Sequence, residues 1–275
     1  MKPAAFDYVR AESIEEALEA LHERGADARI LAGGQTLIPM LNMRMARPSL
    51  IIDIMRAPGL DQIENDDAGI RVGAAVRQRA LEHDHELRLR QPLLAAALPF
   101  IGHAQTRSRG TVCGSVAHAD PSAELPLILV ALKGEIELRS RRRSRQLAAD
   151  SFFTGILSTA CEPDEMIEAV RFADARTGTG YAFNEFGRRH GDFAIVACAA
   201  IVDARTARLA IGGVADRPTA RDLPLPTDSI LDEALEAFAA DLEPRDDVHA
   251  TAEYRRHLVR RLGRRTIEEA ARCRG

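Results

Sequence analysis

Ala32-Gly33-Gly34-Gln35-Thr36 is a segment whose residue types could hold a ligand largely by backbone. It follows the apolar run 28–31 and precedes a helix-like stretch over 37–44. Glycine turns a chain with positive φ and puts no Cβ between backbone and ligand. N–H groups exposed in such a turn form a nest for an anion such as a diphosphate. Gln35 and Thr36 add side-chain donors. A second segment, Thr111-Val112-Cys113-Gly114-Ser115, reads as another glycine loop with hydroxyl donors at both ends. Neither matches G-x-G-x-x-G, and no G-K-[ST] occurs, so the two commonest phosphate loops are excluded. A tight strand-to-helix turn would explain the first segment alone; it explains the pair less well. Cys113 reads as a small packing residue at ordinary φ rather than a redox thiol.

The rest of the composition narrows the chemistry. The chain has 275 residues, enough for two domains or one large one with ample core. Its net charge of −4 gives no footprint for bulk nucleic-acid binding. Lys2 and Lys133 are its lysines, which leaves little room for Schiff-base chemistry. The four cysteines, Cys113, Cys161, Cys198 and Cys273, are scattered without C-x-x-C or ferredoxin spacing, so no metal or iron–sulfur site is expected in this chain. The amino-terminal residues show no apolar signal region, and the longest apolar run, 193–202, is too short to span a bilayer. The expected location is cytoplasmic. The arginine-rich stretch 139–145 lacks interleaved aromatics and reads as a solvated hairpin.

Elements must position these segments. Strands are expected at 6–9, 28–31, 50–54, 69–73, 135–139 and 166–172. Ser13 with Glu16 predicts a capping box for a helix ending at Arg24, with Gly25 just beyond it. Further helices are expected over 77–83, 91–101 and 123–132. The polar stretch 174–180 marks a domain boundary. Beyond it, strands at 181–186, 193–203 and 207–214 predict a three-stranded antiparallel sheet. Residues 216–227 read as a proline-rich loop, followed by helices over 229–240, 246–262 and 266–272. The irregular mixture of elements points to an α+β fold.

Longer stretches extend both glycine segments: Leu31-Ala-Gly-Gly-Gln-Thr-Leu-Ile-Pro39, and Arg109-Gly-Thr-Val-Cys-Gly-Ser-Val-Ala-His-Ala-Asp-Pro121 running on to Glu124-Leu-Pro126. A third reads Arg188-Arg-His-Gly-Asp-Phe-Ala194. This series resembles the FAD-binding medium subunit of the molybdenum hydroxylases, over nearly the whole chain. The resemblance implies a two-subdomain FAD-binding domain of the vanillyl-alcohol-oxidase (PCMH) type over 1–175. A smaller α+β C-terminal domain of the CO dehydrogenase flavoprotein kind would follow over 176–275. It implies noncovalent FAD held by Ala32, Gly33, Gly34, Gln35, Thr36, Ile101, Thr111, Gly114, Ser115, Glu124, Ile167, Asp192 and Phe193, with no catalytic residue and no metal ligand in this chain. The family's second segment reads T-[IV]-G-G-N, so Cys113 and Ser115 are departures from it. Asn184 stands where xanthine dehydrogenases carry a lysine, which leaves Arg188 or Arg189 to supply positive charge near the flavin. Glu124 also reads as an ordinary first-turn glutamate, and Ile101 and Ile167 as core.

The implied function is electron transfer within a heterotrimer. A large subunit would hold molybdopterin, and a small subunit would carry [2Fe–2S] clusters and feed electrons to the FAD. The flavin would pass them to an external acceptor. A dimer of heterotrimers is the implied assembly. Two other readings stay open: a self-sufficient FAD-dependent oxidase or reductase of the same fold, and a non-catalytic nucleotide-binding regulatory protein.

Overall fold

The first βαβ unit forms as the sequence dictates. In a computed structural model, which describes residues 2–226 and 230–274, β1 (Asp7–Arg10) leads into α1 (Ile14–Arg24). The Ser13 side chain accepts from the Glu16 N–H, and Glu16 reaches back to the N–H of Glu12. Gly25 ends α1 at φ 51°. Ala17, Leu18 and Leu21 form its buried face. β2 (Ala28–Leu31), α2 (Leu37–Asn42) and β3 (Leu50–Asp53) complete a parallel sheet in the order β1-β3-β2. The first glycine segment is the β2-to-α2 turn, at the carboxyl end of a parallel strand.

A second subdomain is built on an antiparallel sheet. Its strands are β4 (Ile63–Asp66), β5 (Gly69–Gly73), β6 (Glu135–Arg139), β7 (Ser144–Ala148) and, later in the chain, β10 (Met166–Phe172). The spatial order is β4-β5-β10-β6-β7. The register of β10 against β6 shifts between Ile167 and Ala169, a bulge in the strand that carries Ile167. Between β5 and β6 run the short helices α3 (Gln78–Glu82), α4 (Leu87–Arg90), α5 (Pro92–Ala97), α6 (Ala104–Arg109), α7 (Val112–His118) and α8 (Glu124–Ala131). A further helix, α9 (Ala149–Phe152), and a two-stranded ribbon of β8 (Phe153–Gly155) and β9 (Ser158–Thr159) precede β10. The arginines of the β6–β7 hairpin are engaged: Arg141 pairs with Glu19, and Arg143 and Arg145 with the buried Glu165.

The structure corrects the second glycine segment. Residues 111–115 are a helix start rather than a loop: Thr111 is the N-cap of α7, and its Oγ1 accepts from the Gly114 N–H at 3.1 Å. A threonine before a helical run satisfies an otherwise orphaned donor, and that local chemistry outweighs the glycine. Cys113 lies within this helix at ordinary φ.

The C-terminal sheet has four antiparallel strands, not three, in chain order: β11 (Gly180–Phe186), β12 (Val196–Val202), β13 (Ala207–Gly212) and β14 (Thr219–Leu223). The fourth lies inside the stretch read as a loop. Pro218 and Pro224 flank it, and it pairs only with β13. Proline is compatible with such an edge position. Thr227, the end of that expected loop, and Ser229, the expected start of the next helix, lie outside the described residues. α10 spans Leu231–Asp241. The two final helices expected are one, α11 (Ala252–Arg272), because Thr266 turns its hydroxyl onto the Leu262 carbonyl at 2.7 Å and stays helical.

Strand alternation makes this sheet the filling of a sandwich. Val196, Cys198 and Ala200 face α10 and α11, while Ala197, Ala199, Phe183 and Ala210 join the core of the FAD-side elements. α8 lies under that second face with all eight of its residues buried. Arg208 of β13 caps its last turn, donating to the Val130 and Ala131 carbonyls. No described helix is long and apolar enough to cross a membrane.

Candidate functional site

The two glycine segments meet. A Cβ on Gly33 would lie 2.3 Å from the Arg109 carbonyl oxygen and 2.7 Å from Gly110 Cα. The β2–α2 turn therefore packs backbone-to-backbone against the approach to α7, a contact only glycine allows. Gly34 sits at φ +71° and makes the turn. The N–H groups of Gly33, Gly34, Gln35 and Thr36 donate to no protein acceptor among the described residues. Four successive free donors in one turn make a concave anion site. The approach to α7 is pinned to the sheet side by Val112 N–H to Val76 O at 3.0 Å and Gln78 N–H to Gly110 O at 2.8 Å.

A cavity of about 610 Å³ opens along this junction. That is within the range of small-molecule and cofactor sites. All thirteen residues singled out from the sequence line it: Ala32 to Thr36, Ile101, Thr111, Gly114, Ser115, Glu124, Ile167, Asp192 and Phe193. The parallel sheet, the antiparallel sheet and the β11–β12 connection of the C-terminal domain each contribute. Ile101 and Ile167 serve both readings, since each is buried in the core and faces the cavity. Glu124 likewise begins α8 and lines the wall. The Gly114 N–H is committed to the Thr111 cap, so the second segment offers a ligand hydroxyls rather than a backbone nest.

The third segment closes one side. His190 stacks on Phe100 with ring centroids 5.5 Å apart, and Phe100 also meets Phe183 at 5.2 Å. These contacts seat the 188–193 connection beside the cavity, with Phe193 66% exposed at its rim. Ile101 lies between Phe100 and the turn at Gly102. That turn is held by Arg107, which donates to the Ile101 carbonyl at 3.1 Å and pairs with Glu82 at 2.8 Å. Beyond Phe193 lies a second cavity of about 670 Å³, lined by Arg188, Arg245 and Arg255 among others.

Positive charge is placed differently from the sequence expectation. Arg188 and Arg189 do not line the first cavity; Arg29 does, with its guanidinium hydrogen-bonded to the Ala26 and Ala28 carbonyls. Asn184 is also outside, donating instead to Thr266 and Glu269 of α11. Arg255 of α11 is buried and donates to the Ile195 and Gly213 carbonyls and to Asp247. Sequence reasoning missed the lining residues Gln78, Cys161 and Glu165. No motif marks them, because each reaches the cavity through tertiary packing.

The titratable groups in the wall are unusual. Burial pushes Glu124 up to about 7, with Asp120 adding repulsion and Arg107 opposing it. Cys113 is pushed up to about 12 by burial and lies 3.5 Å from the Val72 carbonyl, which favours the thiol over the thiolate. Cys161 is raised to about 12 as well, by burial and then by Glu165. No His/Cys/Asp/Glu cluster of metal-binding type occurs among the described residues.

Known proteins resemble the chain along its whole length. The model of the FAD binding domain in molybdopterin dehydrogenase matches residues 4–173, and that of the CO dehydrogenase flavoprotein C-terminal domain matches residues 181–270. Subunit alpha of the 6-hydroxypseudooxynicotine dehydrogenase complex of Paenarthrobacter nicotinovorans is 40% identical, covering 98% of this chain and 96% of its own. The nicotine 6-hydroxylase medium subunit of the same organism is 38% identical over 98% and 99%. Among solved structures, carbon monoxide dehydrogenase from Hydrogenophaga pseudoflava superimposes with a TM-score of 0.92 at 32% identity, covering 99% of this chain and 100% of that one. Fold and site thus define an oxidoreductase subunit built on an FAD-binding domain. The chain belongs to the family of FAD-binding medium subunits of the molybdenum hydroxylases.

Proposed function

We propose that this chain holds one noncovalent FAD in the 610 Å³ cavity and serves as the electron outlet of a heterotrimeric molybdenum hydroxylase. The observation that carries the reading is the convergence of thirteen residues, spread from 32 to 193, on one cavity that contains an unpaired four-donor turn. The free N–H groups of Gly33 to Thr36 suit the diphosphate, and the hydroxyls of Thr111 and Ser115 with Glu124 suit hydroxyl groups of the chain joining it to the ring. Ile101, Ile167 and Phe193 offer apolar surface for the ring. When bound, the flavin supplies the redox chemistry; the protein orients it and keeps water from it.

Electrons would enter from a small [2Fe–2S] subunit, whose large partner holds the molybdopterin and the organic substrate, and leave to an external acceptor. A dimer of such heterotrimers and a cytoplasmic location belong to the same proposal. On this reading the division at 175/176 separates the cofactor-holding part from a C-terminal part that closes the cavity through residues 188–193. The test is the purified chain or complex. It should be yellow, with about one FAD per chain, and acid or heat should release the flavin to the supernatant. Flavin that stays with the precipitated protein would overturn noncovalent binding, and a colourless protein that takes up no FAD would overturn the whole reading.

A further inference from the structure

The FAD-binding domain is two subdomains with the cavity between them. The β1-β3-β2 sheet with α1 and α2 brings the unpaired donor turn, Gly33 to Thr36, and the antiparallel subdomain brings Ile101 and Ile167. Residues 55–62 are the chain link from β3 to β4. No strand pairing or backbone hydrogen bond crosses from residues 2–57 to the rest of the chain among the described residues. Gly33 only packs against the Arg109–Gly110 backbone. Apolar side chains of both subdomains share one core, but apolar contact is non-directional and does not by itself fix the angle between them.

Every hydrogen bond and ion pair that does cross, among the described residues, leaves one face of α1. Glu15, Glu19 and His22 are spaced four and three residues apart and so stand on a single helix face. Glu15 pairs with Arg139 at 3.0 Å and Glu19 with Arg141 at 2.8 Å. His22 lies 3.5 Å from Arg142 and 3.9 Å from Asp164. Arg139 also pairs with Glu168 of β10 at 3.1 Å, while Arg143 and Arg145 hold Glu165 in the cavity wall. The arginine-rich hairpin thus grips α1 with one set of side chains and the wall with another. That gives a use to a stretch whose composition reads as solvated surface. A lone exposed ion pair contributes little, but several on one face act as a network.

We propose that α1 and the β6–β7 hairpin form an electrostatic clasp that holds the two subdomains closed on the cofactor, so that the strength of the clasp sets how fast flavin leaves. A ligand gripped at one end by the donor turn and at the other by Ile101 and Ile167 escapes when the subdomains part. Parting them about the 55–62 link breaks the α1 pairs and unseats Ala57 and Leu60, both buried. It breaks no hydrogen bond within either sheet. The Glu19 and Arg141 side chains are 44% and 53% exposed, so salt screens their pair. The consequence for the cofactor rests on FAD occupying this cavity; the clasp itself does not.

The test is a double-variant cycle on the full chain, with Glu19→Arg, Arg141→Glu and both together. Neither residue lines the cavity. Two rates are measured. One is release of bound FAD, followed by flavin fluorescence. The other is tryptic cleavage of the apo chain after Arg56, an exposed residue in the link. At low salt each single variant should raise both rates about three- to tenfold, and the double variant should return to within about twofold of native. In about 1 M salt, where the Debye length is about 3 Å, native and variant chains should converge. Glu15 and Glu23 offer Glu19→Arg new partners four residues away, so the recovery in the double variant decides, not either single effect. Rates unchanged in both single variants, or a double variant no better than the worse single, overturn the clasp. Coupled cleavage rates with FAD release alike in every chain overturn its hold on the cofactor. Coupled cleavage with no FAD bound by any chain, the native included, leaves the clasp standing and overturns the cofactor reading instead.

Discussion

Two adjacent glycines carry different duties, and single substitutions separate them. Gly34 must hold φ +71°, where a β-branched residue costs about 1–2 kcal/mol or more. Gly33 has an ordinary φ, but any Cβ there meets the Arg109–Gly110 backbone, which cannot rotate away. Gly33→Val should therefore push the two segments apart and abolish flavin retention. Gly34→Val should weaken it and lower the melting temperature. Flavin content per folded chain is the readout; an unchanged flavin content in both variants would reduce the segment to a plain turn. Cys113→Ser should keep flavin and electron transfer, since the thiol is buried against the Val72 carbonyl and burial pushes it well above the range in which it would ionise near neutrality. Loss of turnover with flavin still bound would make the sulfur chemical after all.

At the scale of elements, one ion-paired group ties strand to hairpin. The Glu165 side chain is fully buried, and Arg145 holds it at 2.8 and 2.7 Å with Arg143 at 3.2 Å. Burial alone would raise it, but the Arg145 hydrogen bonds and the Glu162 N–H outweigh that and hold it below its ordinary value of 4.5. A depressed folded value means the stabilisation is present above the unfolded value and fades as pH falls through the folded one. Glu165→Gln should thus cost about 2 kcal/mol near pH 7, and the gap from the native chain should close in acid, as followed by thermal melts. This sign is opposite to that of Glu124, which burial pushes up. The Glu165 cluster was not legible in the sequence, because its partners come from β7 and from a loop twenty residues on. By contrast, α1 was, since Ser13, Glu16 and Gly25 are local signals that packing did not need to override. Gly69–Gly73, Glu135–Arg139 and Met166–Phe172 were legible in full. The start of α7 was misread because glycine suggested a loop while Thr111 supplied a cap. β14 was missed because flanking prolines mask a five-residue edge strand whose pairing is tertiary. The cavity lining was legible where it coincides with the three short motifs, and at Ile101 and Ile167 through the family resemblance; Gln78, Cys161 and Glu165 arrive there by folding.

At the scale of the molecule, the cavity belongs to neither domain alone. Its floor and nest come from the first part of the chain, its side wall from the 188–193 connection, and α8 lies buried between them. A C-terminal sheet sandwiched between α10–α11 and the FAD-side core fixes that connection, so the shape of the site depends on the whole chain. Among the described residues there is no metal cluster, and the cysteine spacing suits no iron–sulfur centre. The isolated chain, loaded with FAD, should accordingly hydroxylate no N-heterocycle, aldehyde or carbon monoxide. It should at most pass electrons from NADH or an artificial donor to a dye. Adding large and small subunits of its own complex should restore substrate-dependent bleaching of the flavin, followed anaerobically by its visible absorbance. If the lone chain turns over an organic substrate with flavin as its only cofactor, it is a self-sufficient flavoenzyme. The second cavity beyond Phe193, with Arg188 on its wall, would then be the first place to look for that substrate.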